Sequence, residues 1–137
     1  MIKLIVGSRG SGKTKKLLEQ INDAAKTSAG NVVCLDKTLK LRYDVDSNVR
    51  LVDMDAYGIC GFDIFYGFIL GLMAGNYDIT HVFIDSLTKI VPSEATDLAV
   101  EEFLDWLNDF GEDNNIKFTV TISADSSLAS DGVKKYF

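Results

Sequence analysis

The stretch that decides the fold lies near the start of the chain and reads Gly7-Ser8-Arg9-Gly10-Ser11-Gly12-Lys13-Thr14. A mainly aliphatic run, residues 2–6, comes directly before it and predicts a buried β-strand. After it, apolar residues recur on one face of a segment from about Gly12 to Lys26, which predicts an amphipathic helix. A strand that passes through a glycine-rich turn into a helix is the beginning of a βα unit.

The composition of this turn also has a chemical meaning, because it matches G-x-x-x-x-G-K-[ST] at every position. Glycines let the backbone bend so that its N–H groups surround an anion. The following helix adds its free N–H groups and the positive end of its dipole. Lys13 would place a charge on the terminal phosphates of a nucleotide, and Thr14 would offer its hydroxyl to Mg²⁺. The turn therefore predicts a phosphate-binding site.

A second chemical signal is the acid at the end of another apolar strand, His81-Val82-Phe83-Ile84-Asp85. Ligands of open α/β sheets bind at the carboxyl ends of the strands, so Asp85 is expected beside the glycine-rich turn. There its carboxylate would hold Mg²⁺ through water. The alternative is an ordinary aspartate at a turn. His81 is expected to be solvent-facing or hydrogen-bonded rather than catalytic.

On these two motifs the chain resembles the P-loop NTPase superfamily, with Walker A at residues 7–14 and Walker B at residues 81–85. The resemblance implies a small bacterial ATP-binding protein, with one nucleotide-binding domain over residues 1–137 and with ATP and Mg²⁺ as cofactors. It implies catalytic roles for Lys13 and Asp85, and metal ligation by Thr14 and Asp85. The nucleotide-binding residues that it implies are Gly7, Ser8, Arg9, Gly10, Ser11, Gly12, Lys13 and Thr14.

The segment after Asp85 is similar to the RecA-like branch of that superfamily. In this branch the strand after Walker B lies between the Walker A and Walker B strands and ends in a residue that senses the γ-phosphate. Thr121 and Ser123 are the candidates for this role, although both could be ordinary hydroxyls at a strand end. The implied fold class is α/β, a three-layer α/β/α sandwich with a mostly parallel sheet and a minimal RecA-like core.

The chain departs from the family pattern at the residue that orients the attacking water. Many members carry Glu directly after the Walker B aspartate, where this chain has Ser86. RecA-like members place a Glu at the end of the second strand, where this chain has Asp36. Asp36, Asp53 and Asp55 are the candidates to replace it. Nucleotide binding is therefore better supported by the sequence than turnover.

The rest of the pattern predicts alternating strands and helices, hence βαβ units and a parallel sheet covered on both faces. Strands are expected at 32–35, 49–52, 82–84 and 118–122. One helix is expected over 62–75, and another from Ser93 as N-cap to about Phe110, with Gly111 as its end.

Three glycines recur every fourth residue in the first of these helices, at Gly67, Gly71 and Gly75. This spacing places them on one helix face. We interpret that face as packed closely against the sheet, with a contact between copies of the chain as the alternative.

Size and charge limit the class of protein. The chain has 137 residues, 47% of them hydrophobic, and a net charge of −6, which fits one folded domain and disfavours a nucleic-acid partner. Six basic and two acidic residues precede position 27, so the positive charge surrounds the glycine-rich turn. Cys34 and Cys60 are expected to be reduced thiols. The longest apolar stretch, 64–74, is too short to insert into a membrane, and a cytoplasmic protein is expected.

Three functions remain open on the sequence. The first is an Mg-ATP-binding P-loop protein that hydrolyses ATP slowly or only with a partner, which could be a second copy or another protein. The second is a nucleotide-dependent switch or assembly module without useful hydrolysis. The third is a small-molecule kinase, which is less favoured because no arginine follows Arg50 to serve a lid.

Overall fold

The computed structural model describes residues 2–7, 12–37, 41–91, 97–123 and 131–137, with the side chains of Lys13, Asp97 and Ser123 excepted. The strands in these residues are β1 (Ile2–Gly7), β2 (Asn31–Asp36), β3 (Arg50–Asp53), β4 (Ile79–Ile84) and β5 (Lys117–Ser123). The helices are α1 (Lys13–Thr27), α2 (Phe62–Gly75), α3 (Leu87–Ile90), α4 (Asp97–Asn114) and α5 (Asp131–Lys134). The predicted strands are all present, with ends that differ by at most three residues, whereas α3 was not predicted.

The five strands form one parallel sheet in the order β1-β5-β4-β2-β3. β5 therefore lies between β1 and β4, as the resemblance to RecA-like proteins implies. Because all strands run the same way, their carboxyl ends meet at one edge of the sheet, where Gly7, Ile84 and Asp36 end their strands. Gly7, the first residue of the glycine-rich turn, and Asp85, which follows Ile84, therefore lie at this edge.

Helices cover both faces of the sheet and give the predicted three layers. On one face, Leu17 and Ile21 of α1 pack with Cys34 and Phe83. On the other face, side chains of α2 and α4, including Phe65 and Phe103, pack on the alternate strand residues, which point away from α1. Alternate residues of a strand point to opposite faces of the sheet. Residues two positions before or after Phe83 in the chain therefore face α1, as Phe83 does.

The end of α4 differs from the prediction. The helix continues through Gly111 to Asn114, so Gly111 is not its end. It ends instead where Asn115 takes a left-handed φ of 56°, which asparagine tolerates. The Ile116 N–H then bonds the Gly111 carbonyl over 2.9 Å, the closing bond of a Schellman motif. The predicted N-cap, Ser93, lies outside the described residues.

The interpretation of the three glycines in α2 was also wrong. The buried face of α2 consists of Phe62, Phe65, Ile69 and Met73, and all three glycines lie on the exposed side. Apart from its chain neighbours and the adjacent backbone of the helix, a Cβ built on Gly67, Gly71 or Gly75 would meet no described atom within 4 Å. No helix in the described part of the chain is long and apolar enough to span a bilayer.

Candidate functional site

The glycine-rich turn joins β1 to α1. Gly7 ends β1, and Gly12 precedes α1 with φ 82° and ψ 10°. This left-handed conformation is open to glycine and strained for most other residues, which explains why glycine is needed there. The predicted nucleotide-binding residues Ser8, Arg9, Gly10 and Ser11 lie outside the described residues.

The first turn of α1 is positively charged and has no side-chain cap. The Lys16 N–H makes the first helical bond, to the Gly12 carbonyl over 3.1 Å, so the N–H groups before it have no partner within the helix. Lys13, Lys15 and Lys16 lie in this turn, which contains no acid, and Thr14 is exposed. A helix N-terminus of this kind attracts anions through its N–H groups and its dipole.

Asp85 follows β4 and is 1% exposed. Its N–H donates to the Leu35 carbonyl over 2.9 Å, so its backbone still belongs to the sheet. The Thr121 hydroxyl donates to Asp85 Oδ1 over 2.8 Å, and the Ser86 hydroxyl lies 3.4 Å from the same oxygen. Asp85 lies two residues after Phe83 and therefore points to the same face of the sheet, the one that α1 covers. Only β5 separates its strand from β1, a distance of about 10 Å across the sheet.

Ser86 turns the chain sharply out of the sheet after Asp85. It adopts φ 57° and ψ 60°, a left-handed conformation that is strained for a residue with a side chain. Its N–H donates to Thr121 Oγ1 over 2.7 Å, and the residue is 2% exposed.

Of the three acids proposed to orient water, the fold brings Asp36 next to Asp85. Leu35 is in register with Ile84, so the two following aspartates are neighbours on adjacent strands, and Asp36 is 1% exposed. Asp53 is in register with Asp36, but its Oδ1 accepts the Asp55 N–H over 3.0 Å and so caps a turn. Asp55 is exposed. The adjacency of β2 and β4 is what distinguishes Asp36.

The two γ-phosphate sensor candidates differ in position. Thr121 is fully buried, and its only hydroxyl proton goes to Asp85, so it has no proton for a phosphate. Ser123 ends β5 in register with Gly7, the first residue of the glycine-rich turn, and its side chain is not described. The sequence did not predict the bond between Thr121 and Asp85.

His81 lies further toward the amino end of β4 and is hydrogen-bonded, as expected. Its Nε2 is 2.9 Å from Thr119 Oγ1, and its ring stacks on Phe83 with 4.0 Å between centroids. Burial lowers the pKa of His81 to about 4, with a smaller contribution from the charge of Lys117. The ring is therefore neutral at neutral pH and belongs to the packing of the sheet.

The donor set of the site fits Mg²⁺. Asp85 and Thr14 offer only oxygen ligands, which Mg²⁺ prefers, and Mg²⁺ commonly binds one or two protein oxygens together with phosphates and water. Within the described residues, no group of three or more His, Cys, Asp or Glu side chains is placed to hold a metal ion by itself.

Comparison with solved structures supports the architecture. The crystal structure of a KaiC-like protein from the hyperthermophilic archaeon Pyrococcus horikoshii OT3 matches with a TM-score of 0.65 and 18% sequence identity. The match covers 98% of this chain and 66% of that chain, so the protein spans just under two thirds of its neighbour's length. Neither a family model nor a curated protein sequence matches the chain. The fold is therefore an α/β fold with a parallel sheet, similar to a KaiC-like RecA-type core, as predicted.

Proposed function

We propose that this protein binds the nucleoside triphosphate ATP together with Mg²⁺ at the carboxyl edge of its sheet. One observation carries the proposal. The positive, uncapped N-terminus of α1 and the buried carboxylate of Asp85 lie on the same face and the same edge of the sheet, with β5 alone between their strands. This arrangement supports the proposal, because one phosphate chain could reach both the helix N-terminus and the carboxylate.

Each residue would have a distinct part in this binding. The N–H groups before Lys16 and the Lys13 ammonium would bind the phosphates, while Thr14 and Asp85 would hold Mg²⁺. When bound, Mg²⁺ neutralises the charge of the β- and γ-phosphates. The fold shared with the KaiC-like protein supports this assignment, since the site lies where ligands bind in open α/β sheets.

For the chemistry, we propose slow or partner-dependent hydrolysis. Asp36 is the candidate for orienting water because it is the carboxylate beside Asp85. It is shorter than the glutamate of RecA-like proteins and almost fully buried, so its reach toward solvent is small. The same burial favours the alternative, a switch or assembly module that binds ATP without useful hydrolysis. The kinase hypothesis gains no support from the described residues.

Thermal unfolding with and without Mg-ATP tests the binding. A ligand at a hundredfold excess over Kd stabilises its protein by about 2.7 kcal/mol. We expect this stabilisation for the wild type and its loss in Lys13→Ala, whose unfolding without nucleotide should be unchanged. Lys26→Ala, in the last turn of the same helix, is the matched control and should respond like the wild type. A wild type that no triphosphate stabilises would overturn the proposal.

Two further variants separate metal binding from turnover. Asp85→Asn should weaken only the Mg²⁺-dependent part of the stabilisation, and an unchanged metal dependence would remove Asp85 from the site. Asp36→Asn should retain nucleotide binding and reduce phosphate release. If the wild type binds ATP and releases no phosphate even at high protein concentration, the module without hydrolysis is the correct function.

A further inference from the structure

We propose that Thr121 is a positioning residue for Asp85, which it holds in the orientation that binds the metal. This inference rests on the proposed function, since it concerns how Asp85 meets Mg²⁺. It gives Thr121 a structural part in the site in place of γ-phosphate sensing.

The geometry shows one hydroxyl fixing two consecutive residues. Thr121 Oγ1 donates its proton to Asp85 Oδ1 over 2.8 Å and accepts the Ser86 N–H over 2.7 Å. Thr121 is fully buried, so water does not compete for either bond. The hydroxyl thus ties the end of β4 to β5 at the point where the chain leaves the sheet.

A carboxylate at this position needs such a bond to be oriented. The terminal torsion of an aspartate is broad, so its own rotamer does not fix the plane of the carboxylate. The hydrogen bond from Thr121 restricts that plane. Groups that hydrogen-bond to metal ligands in this way tune metal binding, and their loss typically reduces metal affinity about 10–100-fold.

The backbone after Asp85 also depends on Thr121. Ser86 is held at φ 57°, which costs energy that the surrounding structure must supply. Its N–H points sideways to β5 through the bond to Thr121, while the Asp85 N–H remains bonded to β2 through Leu35. The two bonds in opposite directions hold the corner, so removal of the Thr121 hydroxyl frees the turn as well as the carboxylate.

The test compares variants of two threonines in the same strand. Thr121→Val removes the hydroxyl with little change in shape, and Thr121→Ser retains it. Thr119→Val is the matched control. Thr119 lies two residues before Thr121 in β5 and points to the same face of the sheet, but it bonds His81. The measurement is the Mg²⁺ concentration needed for half-maximal binding of a fluorescent ATP analogue, together with analogue binding in EDTA.

We expect Thr121→Val to need about 10–100-fold more Mg²⁺ while its binding in EDTA is unchanged. Thr121→Ser and Thr119→Val should stay below the range of about 10–100-fold that follows the loss of a group bonded to a metal ligand. General damage to the fold would weaken binding in EDTA too, which separates it from a positioning effect. Thr121→Ala provides the same comparison if the valine variant does not fold.

Two results would overturn the inference: a wild-type Mg²⁺ requirement in Thr121→Val, or an equal shift in Thr119→Val. The reference variant Asp85→Asn shows which proposal has failed. If it loses the Mg²⁺ dependence and Thr121→Val does not, the role of Thr121 is wrong and the proposed function stands. If Asp85→Asn keeps the dependence, Asp85 does not meet the metal and the role of Thr121 fails with it, while nucleotide binding is still decided by thermal unfolding with the triphosphate.

Discussion

At the scale of single residues, hydroxyls of β5 bond two ionisable groups, one within β4 and one directly after it. Thr119 bonds the ring of His81, and Thr121 bonds the carboxylate of Asp85. The partners are 38 and 36 residues apart along the chain, so no local pattern could reveal these bonds. The sequence leads to hypotheses for Lys13 and Asp85 because each is part of a short motif. The bond that Thr121 donates to Asp85 could not be predicted, because it depends on which strands become neighbours.

The buried state of His81 predicts a pH dependence of stability. The pKa of His81 is about 4 in the folded chain, and an unfolded histidine titrates near 6.5. Between these values the unfolded state binds a proton that the folded state does not. The contribution of the neutral, buried His81 to the free energy of unfolding is therefore complete above about pH 6.5 and is lost as the pH falls toward 4. We expect a loss of about 2–3 kcal/mol over this range.

Urea unfolding at pH 7 and pH 4.5 measures this loss. His81 is the single histidine of the chain, so His81→Gln removes the effect without disturbing another imidazole. The free energy of unfolding should fall less between the two pH values in the variant than in the wild type. Equal losses in both proteins would show that His81 has an ordinary pKa.

At the scale of elements, glycines of similar appearance have opposite surroundings. Gly30 lies just before β2, where the Asn31 N–H bonds the Asp78 carbonyl over 2.7 Å. A Cβ on Gly30 would lie 2.3 Å from that carbonyl oxygen and 2.4 Å from Thr80 Cγ2. Gly71 lies in α2 with no described atom within 4 Å of its Cβ position.

Alanine at these two positions should therefore change stability in opposite directions. Gly30→Ala forces the backbone of two strands apart and should lower the free energy of unfolding by about 1–3 kcal/mol. Gly71→Ala should raise it by about 0.5–1 kcal/mol, because alanine favours the helix and nothing obstructs the methyl group. Denaturant titrations of both variants measure the two changes. A destabilised Gly71→Ala would contradict the open surroundings of α2.

The elements themselves were largely predictable, since strand and helix patterns are local. α2 has the predicted bounds, 62–75, and α1 is shifted by one residue. The predictions of element ends and buried faces failed where backbone conformation or tertiary packing determines the structure. Asn115 could replace glycine as the left-handed residue that ends α4, and the repeat of glycines in α2 could not show which side faces the core.

At the scale of the whole molecule, the last residues tie the first strand to the longest described helix. The Tyr136 carbonyl accepts the Leu4 N–H of β1 over 2.7 Å. The Tyr136 hydroxyl donates to Asp105 of α4, and Lys135 Nζ lies 2.9 Å from the same carboxylate. Burial and then this hydrogen bond raise the pKa of Tyr136 to about 12.

Removal of the Tyr136 hydroxyl should weaken this attachment. We expect Tyr136→Phe to lower the free energy of unfolding by about 0.5–1.5 kcal/mol, the usual net value of one hydrogen bond. Tyr77→Phe is the matched control, because Tyr77 is 92% exposed, and it should have no effect. Chemical denaturation of both variants decides the matter, and equal stability of all three proteins would show that the hydroxyl contributes nothing.

The bond between Leu4 and Tyr136 separates two kinds of local opening. β1 is an edge strand, and the amide proton of Leu4 is held by Tyr136 of segment 131–137 rather than by another strand. It can exchange with deuterium when only this segment moves away from β1, while the amides between β5 and its neighbours exchange when strands separate. Deuterium uptake at Leu4 therefore reports the local opening of segment 131–137 independently of the unfolding of the sheet.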